Sequence, residues 1–323
     1  MVAPVCHAFI SGLENTKGPR PPSGTAVYSA PMAKPHRFQT GPLFADCATQ
    51  LARHSSPYRD PVARVNWELL SKDRYWLPEH ALSLHGVAEF DALPLTVRRT
   101  LSQLEFAHFL NAGLWLESIF LQRLAREALK GPRDARIYHL HELREEAGHS
   151  LMFLEFFERA GLGDHCLPSK NDALLTLLGR WLPFQSTLFW SAIFLGEEVP
   201  DRLNRYIRLN AQGLCPVAVE LSALHSTDEA RHIAYGREIL KQRVSLLGLT
   251  RRRLLAFLIE VLLKRFVKTF YYPPHTLYTQ AGLPPGPWAA RAQACDTRRL
   301  FVAHCLGPTV ARLRHLGLPV AWP

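Results

Sequence analysis

Residues 224–236 read LHSTDEARHIAYG, with two histidines and two carboxylates in a stretch of otherwise helical character. A helix turns about 100° per residue, so from His225 the Glu229 side chain lies about 40° to one side and His232 about 20° to the other. The three share one narrow face over two turns, which suits metal ligation. Asp228 points elsewhere, where a carboxylate can orient a histidine held on another segment.

A second segment repeats the pattern. EEAGH (Glu145, Glu146, His149) aligns with DEARH (Asp228, Glu229, His232), each an acidic pair with a histidine three residues after its second carboxylate. One Glu-x-x-His pair arises by chance in charged helices. Two, with their glutamates 83 residues apart (229 − 146), are the signature of carboxylate-bridged di-iron or di-manganese bundles, in which each of two further helices adds a Glu.

Those two glutamates should precede the motifs. Glu117, in GLWLES, stands 29 residues before Glu146 (146 − 117). Its neighbours Leu114, Leu121 and Leu124 form an apolar stripe in which an unpaired carboxylate would be costly. Glu105, over three turns upstream in the same helix, falls outside the expected metal layer. In FLGEEVP the candidates Glu197 and Glu198 are adjacent, and the stripe Leu195, Val199, Leu203, Tyr206 favours Glu198 with Glu197 as the alternative. The expected ligands are therefore Glu117, Glu146, His149, Glu198 or Glu197, His225, Glu229 and His232.

This set has one imidazole more than the usual two-histidine bundle. His225 stands four residues before Glu229, the register position that Glu142 fills before Glu146. His141 is one residue out of register and faces away. His108, His139 and His165 read as structural or solvated, and Tyr235 as ordinary packing in preference to a redox-active tyrosine.

Long helices must position these groups. Helical periodicity runs over residues 94–130 to a stop at Gly131-Pro132 and over 133–160 to Gly161. It resumes over 171–209, with kinks expected at Pro183 and Pro200, and over 217–247 to Gly248. Thr250 is then expected to cap a fifth helix. Strand signals are scarce. The reading is all-α: a ferritin-like four-helix bundle with additional packed helices. Residues 1–58, rich in Pro, Gly, Ser and Thr, read as an irregular or partly disordered arm, and residues 59–323 as the bundle domain.

With 323 residues, 47% of them hydrophobic, the chain can bury a sizeable core. The formal charge of +10 is mostly arginine spread along helices without an aromatic platform, which argues against nucleic acid. Six cysteines without CxxC spacing fit a reducing cytoplasm, and the first residues lack the basic region of a signal peptide. The apolar runs TLFWSAIFLG and LLAFLIEVLL fall short of the roughly 20 residues of a membrane span. A soluble, cytoplasmic protein is expected.

Over residues 65–320 the chain resembles the p-aminobenzoate N-oxygenase (AurF-like) di-iron proteins, through LWLES, REEAGHS, GEE and LHSTDEARHIAYG. That family's cluster has three His and four Glu, with the extra His seven residues before the last one, as His225 is before His232. Glu145 stands where the family often has Asp. The resemblance implies an often dimeric oxygenase with two Fe ions that uses O2 and electrons to oxidise an amine, typically on an aromatic molecule, to hydroxylamine and then nitro. No Rossmann glycine fingerprint appears, so electrons would come from an external ferredoxin or reductase, and an acidic ferredoxin would suit the basic surface. The alternatives are a di-iron hydroxylase or desaturase acting on carbon and a ferritin-like iron-binding protein. Helices beyond the minimal bundle, suited to covering a substrate cavity, disfavour storage. Trp115, Phe109, Phe153, Phe189 and Trp190 read chiefly as core, with a pocket near the metals as the other possibility.

Overall fold

The computed structural model describes residues 42–163 and 172–322. Among them are twelve α-helices and no strand; the one sheet-like pairing is an isolated bridge between Tyr75 and Leu214. In chain order the helices are α1 (Pro42–His54), α2 (Pro61–Arg64), α3 (Ala88–Asp91), α4 (Leu95–Glu127), α5 (Arg133–Arg159) and α6 (Ala173–Trp181). They continue with α7 (Thr187–Leu209), α8 (Pro216–Ser245), α9 (Leu249–Tyr271), α10 (His275–Gln280), α11 (Trp288–Ala294) and α12 (Asp296–His315).

Helices α4 and α5 pair through a short connection, as do α7 and α8, and α5 meets α8 across the bundle. Short connections make sequential helices antiparallel neighbours. Helix α9 lies against α7 and α4, and α12 lies against α7. These outer helices explain why α4 and α7 are buried on more than one face, including at Glu105, Glu117, Arg123, Glu197, Glu198 and Asp201.

Two glycines set the helix spacing near the bundle centre. A Cβ at Gly113 of α4 would meet the Phe153 ring of α5 at 3.1 Å, and one at Gly196 of α7 would meet Phe120 of α4 at 3.0 Å. Both distances are tight for carbon contacts, so these positions let large aromatic rings fill the space between helices.

The all-α architecture matches the sequence reading; several local features differ. The segment expected to kink at Pro183 breaks there instead. Leu182, preceding the proline, is extended at φ −55° and ψ 137°, as a residue before proline prefers. Helix α7 then restarts with the Ser186 side chain accepting from the Phe189 N–H at 3.1 Å. Pro200, by contrast, sits inside α7. Thr250 does not cap α9: Gly248 is the N-cap, with no side-chain bond. Part of the segment read as irregular is helical, namely α1, and its Ala48 and Leu51 pack into a small aromatic core with Tyr138, Phe189, Trp190 and Tyr235. Residues 1–41 and His165 lie outside the described residues.

Candidate metal centre

The two Glu-x-x-His segments fall on α5 and α8, and the flanking helices bring carboxylates to meet them. Two adjoining groups result, each with four ligand atoms within 4.8 Å of one another: Glu117, His149, His225 and Glu229 in one, and Glu142, Glu146, Glu197 and His232 in the other. All eight side chains are buried, His149 completely.

Glu146 and Glu229 stand between the groups. Glu229 places Oε1 2.9 Å from His225 Nε2 and Oε2 3.3 Å from His232 Nδ1. Glu146 places Oε2 3.3 Å from His149 Nδ1 and Oε1 2.9 Å from His232 Nδ1. Each motif carboxylate therefore faces imidazoles of both halves, as a bridging ligand must.

Outer carboxylates fix the ring orientations. His149 Nε2 lies 3.3 Å from Asp228 Oδ2 on α8, and His232 Nε2 lies 3.0 Å from Glu145 Oε2 on α5. Each motif's first acidic residue thus serves the other motif's histidine. With Nε2–H donating outward, Nδ1 keeps its lone pair for the centre. Arg231 ties the two outer carboxylates together, at 2.8 Å from Glu145 and in contact with Asp228. His225 is turned the other way, Nε2 inward and Nδ1 2.9 Å from the Asn204 side-chain amide. The amide nitrogen Nδ2 makes that contact; rotating the amide to present its oxygen would let Nδ1–H donate and leave Nε2 as the inward ligand atom.

The electrostatics point to cations. Burial, with Glu146 alongside, drives the Glu117 carboxyl well above the usual carboxylate range, and burial with Glu229 does the same to Glu197. Burial also works to raise Glu146 and Glu229. In both it is outweighed, by His232 and bonds from Glu117 and His149 at Glu146, and by His232, Glu197 and His225 at Glu229. Against burial and the neighbouring His225, bonds to Asp228 and Glu146 lift His149 to about 9. Carboxyls held protonated and imidazoles held cationic express one condition, a concentration of negative charge. Glu117 Oε2, Glu146 Oε1, His225 Nε2 and Glu229 Oε1 are buried without a well-aligned hydrogen bond, although His225 Nε2 faces Glu229 Oε1 and Glu146 Oε1 faces His232 Nδ1 at 2.9 Å. Leaving four such atoms poorly satisfied is expensive. Two oxygen- and nitrogen-bound divalent cations would satisfy them, so the donor set fits a di-metal centre.

Most of the expected ligands come together. The preference for Glu198 is reversed: Glu197 enters the second group, while Glu198 contacts Arg312, lies 2.6 Å from Arg202 and accepts from Thr309 at 2.9 Å. Glu105 is remote, bonded to Ser83. Asp228 orients His149, as its position implied. Glu142, which the sequence places at the register counterpart of His225, faces the second group. Asn204 was missed, although it stands two helical turns after Glu197. His139, read as structural or solvated, bonds Glu142 at 3.1 Å.

An apolar cavity of about 10 Å³ touches the first group, about the space of one water. Phe109, Gly113, Phe153, Pro200 and Phe270 line it beside Glu117, Glu197 and His225. A second cavity is bounded by Glu142, Glu197, Phe189 and Trp190. Four of the five aromatic residues considered from sequence thus line these two cavities; Trp115 instead donates to Thr176 at 3.0 Å. A polar cavity at the surface reaches Glu145, Asp228 and Arg231. No helix among the described residues is long and apolar enough to cross a membrane.

R2-like ligand-binding oxidase variants with a reconstituted Mn/Fe cofactor superpose with a TM-score of 0.53, at 14% identity over 88% of this chain and 99% of theirs. At that identity the likeness is one of fold, the ferritin-like bundle with further helices. Uncharacterized protein Rv0885 of Mycobacterium tuberculosis is 24% identical over 242 residues, 72% of this chain and 69% of that protein. Uncharacterized protein Mb0909 of Mycobacterium bovis matches to the same extent. The family model described as P-aminobenzoate N-oxygenase AurF matches residues 45–317, which include both Glu-x-x-His helices, both flanking glutamate helices and His225. The chain therefore belongs to the AurF family, and with it to the di-metal oxygenases and oxidases.

Proposed function

We propose that the chain is a non-haem di-iron N-oxygenase that uses O2 and electrons to oxidise an amine, by preference an arylamine, to hydroxylamine and then nitro. Glu117, Glu146, His149, Glu197, His225, Glu229 and His232 hold the two Fe ions in this reading. The observation that carries it is His225, a third imidazole aimed inward at the first half of the cluster and bordering the apolar cavity.

A bound di-iron centre supplies O2 binding and reduction; the chain supplies the surroundings. His225 adds a nitrogen donor to one half, which changes its electron density and open positions, and Asn204 holds that ring in place. Phe109, Phe153 and Phe270 form a dry wall against which an aromatic ring can stack. Space for one water does not admit an arylamine, so these side chains must part for substrate to enter. The basic surface fits an acidic ferredoxin as external electron donor, and a homodimer is the oligomeric form proposed.

The test is product analysis. Protein loaded with Fe(II), reduced and exposed to O2 should consume arylamines and yield oxygenated nitrogen by mass spectrometry, with about two irons per chain. An iron content in the hundreds per assembly would indicate storage. A hydroxylase or desaturase acting on carbon is the second reading. It is favoured by the lining of the cavity, which holds no polar side chain beyond the metal-facing ones. Conversion of fatty acyl or hydrocarbon compounds with no amine consumed would establish it over the first.

A further inference from the structure

We propose that Tyr235 is a redox-active residue, a one-electron donor to the di-metal centre after its reaction with O2, with His139 accepting the phenolic proton. This rests on the di-metal reading and is independent of whether the substrate is an amine.

Tyr235 Oη lies 3.2 Å from His139 Nε2, and His139 Nδ1 lies 3.1 Å from Glu142 Oε2. Glu142 is itself in the second metal-facing group with Glu146, Glu197 and His232. A buried chain of three groups therefore joins the centre to the phenol, with exposures of 5% for Glu142, 4% for His139 and 2% for Tyr235. With the imidazole proton on Nδ1, toward the Glu142 side chain, the Nε2 lone pair faces the phenol.

Tyr138 provides an internal contrast. Its ring stacks on that of Tyr235 at 4.0 Å and 24°, and it is as deeply buried. Among the described residues its hydroxyl has no hydrogen-bond partner. A buried phenol that loses an electron without losing its proton leaves a cation in an apolar setting, which is costly. Tyr235 has a base within reach and Tyr138 has none. Ordinary packing accounts for the stacking of the two rings but not for a carboxylate–imidazole pair aimed at one hydroxyl only.

In the step, Tyr235 gives one electron to the oxidised centre, which is thereby reduced by one electron. The phenolic O–H bond breaks and an N–H bond forms at His139 Nε2. The products are a neutral phenoxyl radical and an imidazolium facing the Glu142 carboxylate. Return of one electron and one proton restores the phenol. Trp190, with its ring 5.8 Å from that of Tyr235 and stacked on His139 at 6.5 Å, adjoins both members of the relay. The relay gives the centre an internal electron when no substrate takes up its oxidising power.

The experiment mixes Fe(II)-loaded protein with O2 in the absence of substrate, freezes samples in time and records electron paramagnetic resonance, with ring-deuterated tyrosine as a second sample. A tyrosyl signal narrowed by deuteration is expected in the wild type and in Tyr138→Phe, with loss of the signal in Tyr235→Phe. His139→Gln, which keeps the phenol and removes its base, should delay and weaken the signal. Absence of a tyrosyl signal in metal-loaded wild type, its persistence in Tyr235→Phe, or an unchanged signal in His139→Gln would overturn the proposal. Should Tyr235→Phe not fold, the Tyr138 and His139 variants with the labelled sample decide. Metal content, measured separately, distinguishes the failures: metal bound without a radical removes the relay alone, and no metal bound removes the di-metal reading with it.

Discussion

The two halves of the cluster are built on one plan and differ at one register position. Four residues before the motif glutamate, α8 carries His225 and α5 carries Glu142. The first half consequently has two carboxylates and two imidazoles, the second three carboxylates and one imidazole. Counting Glu142, which faces the second group without being among the seven proposed ligands, a divalent cation in each half and neutral imidazoles give formal charges of 2 − 2 = 0 and 2 − 3 = −1. Hard oxygen donors and the extra negative charge should make the second half hold its ion more tightly. The first half is richer in nitrogen, and its Glu117 and His225 border the apolar cavity together with Glu197 of the second. Repetition of a motif supplies the frame, and a single change of residue type within it makes the two halves unlike in donor set and charge.

The largest effect is expected where the halves meet. Glu229→Gln removes a charge that faces His225 on one side and His232 on the other. Metal content should fall from about two ions per chain to near zero, read by elemental analysis after dialysis. Retention of one ion would show that the halves are independent and that Glu229 serves only one of them.

Changing the distinguishing position should affect one half at a time. His225→Ala is expected to release the first ion, leaving one per chain, and to abolish amine oxidation. Glu142→Ala should weaken only the second. Metal titration monitored by calorimetry separates the two sites. Two bound ions with full amine oxidation in His225→Ala would remove the basis of the N-oxygenase reading.

Smaller effects should follow from the outer carboxylates, again divided between halves. Asp228→Asn acts through His149 and Glu145→Gln through His232. Each should lower metal affinity by roughly 10–100-fold, as loss of a ligand-orienting partner typically does. The double variant should cost less than the sum of the two, because Arg231 bridges both carboxylates and their removal is coupled.

The bundle and most of the centre were legible because helical period and motif repetition are local signals. A 3.6-residue repeat places Glu229 and His232 on one face whatever surrounds them. Glu117 could be found because an acidic residue in an apolar stripe needs a reason. Less legible were the features that turn on which outer helix or cap meets a given face. The stripe on α7 reports which face is apolar, and it favours Glu198; it carries no information about α12, whose Thr309 and Arg312 cover that face. The hydrogen bond between Tyr235 and His139 depends on how α5 crosses α8, which neither segment alone reports. The break at Pro183 was visible as a proline, but whether the chain kinks or restarts depended on the Ser186 cap three residues later.

The adjacent pair Glu197 and Glu198 gives the finest test, since one residue separates a metal-facing carboxylate from one held in ion pairs. Glu197→Gln should weaken the second metal site while leaving the chelated protein at least as stable, because it relieves a buried carboxyl crowded by Glu229. Glu198→Gln should leave both ions in place. Its carboxylate is fully buried against Arg202 and Arg312. Neutralising it strands arginine charge, at a cost of about 3 kcal/mol. Thermal unfolding in chelator should therefore fall for Glu198→Gln and hold for Glu197→Gln, while metal content shows the reverse order. A lost ion in Glu198→Gln would mean that α7 presents a different face to the metals, and the charge difference between the two halves would have to be redrawn from that residue outward.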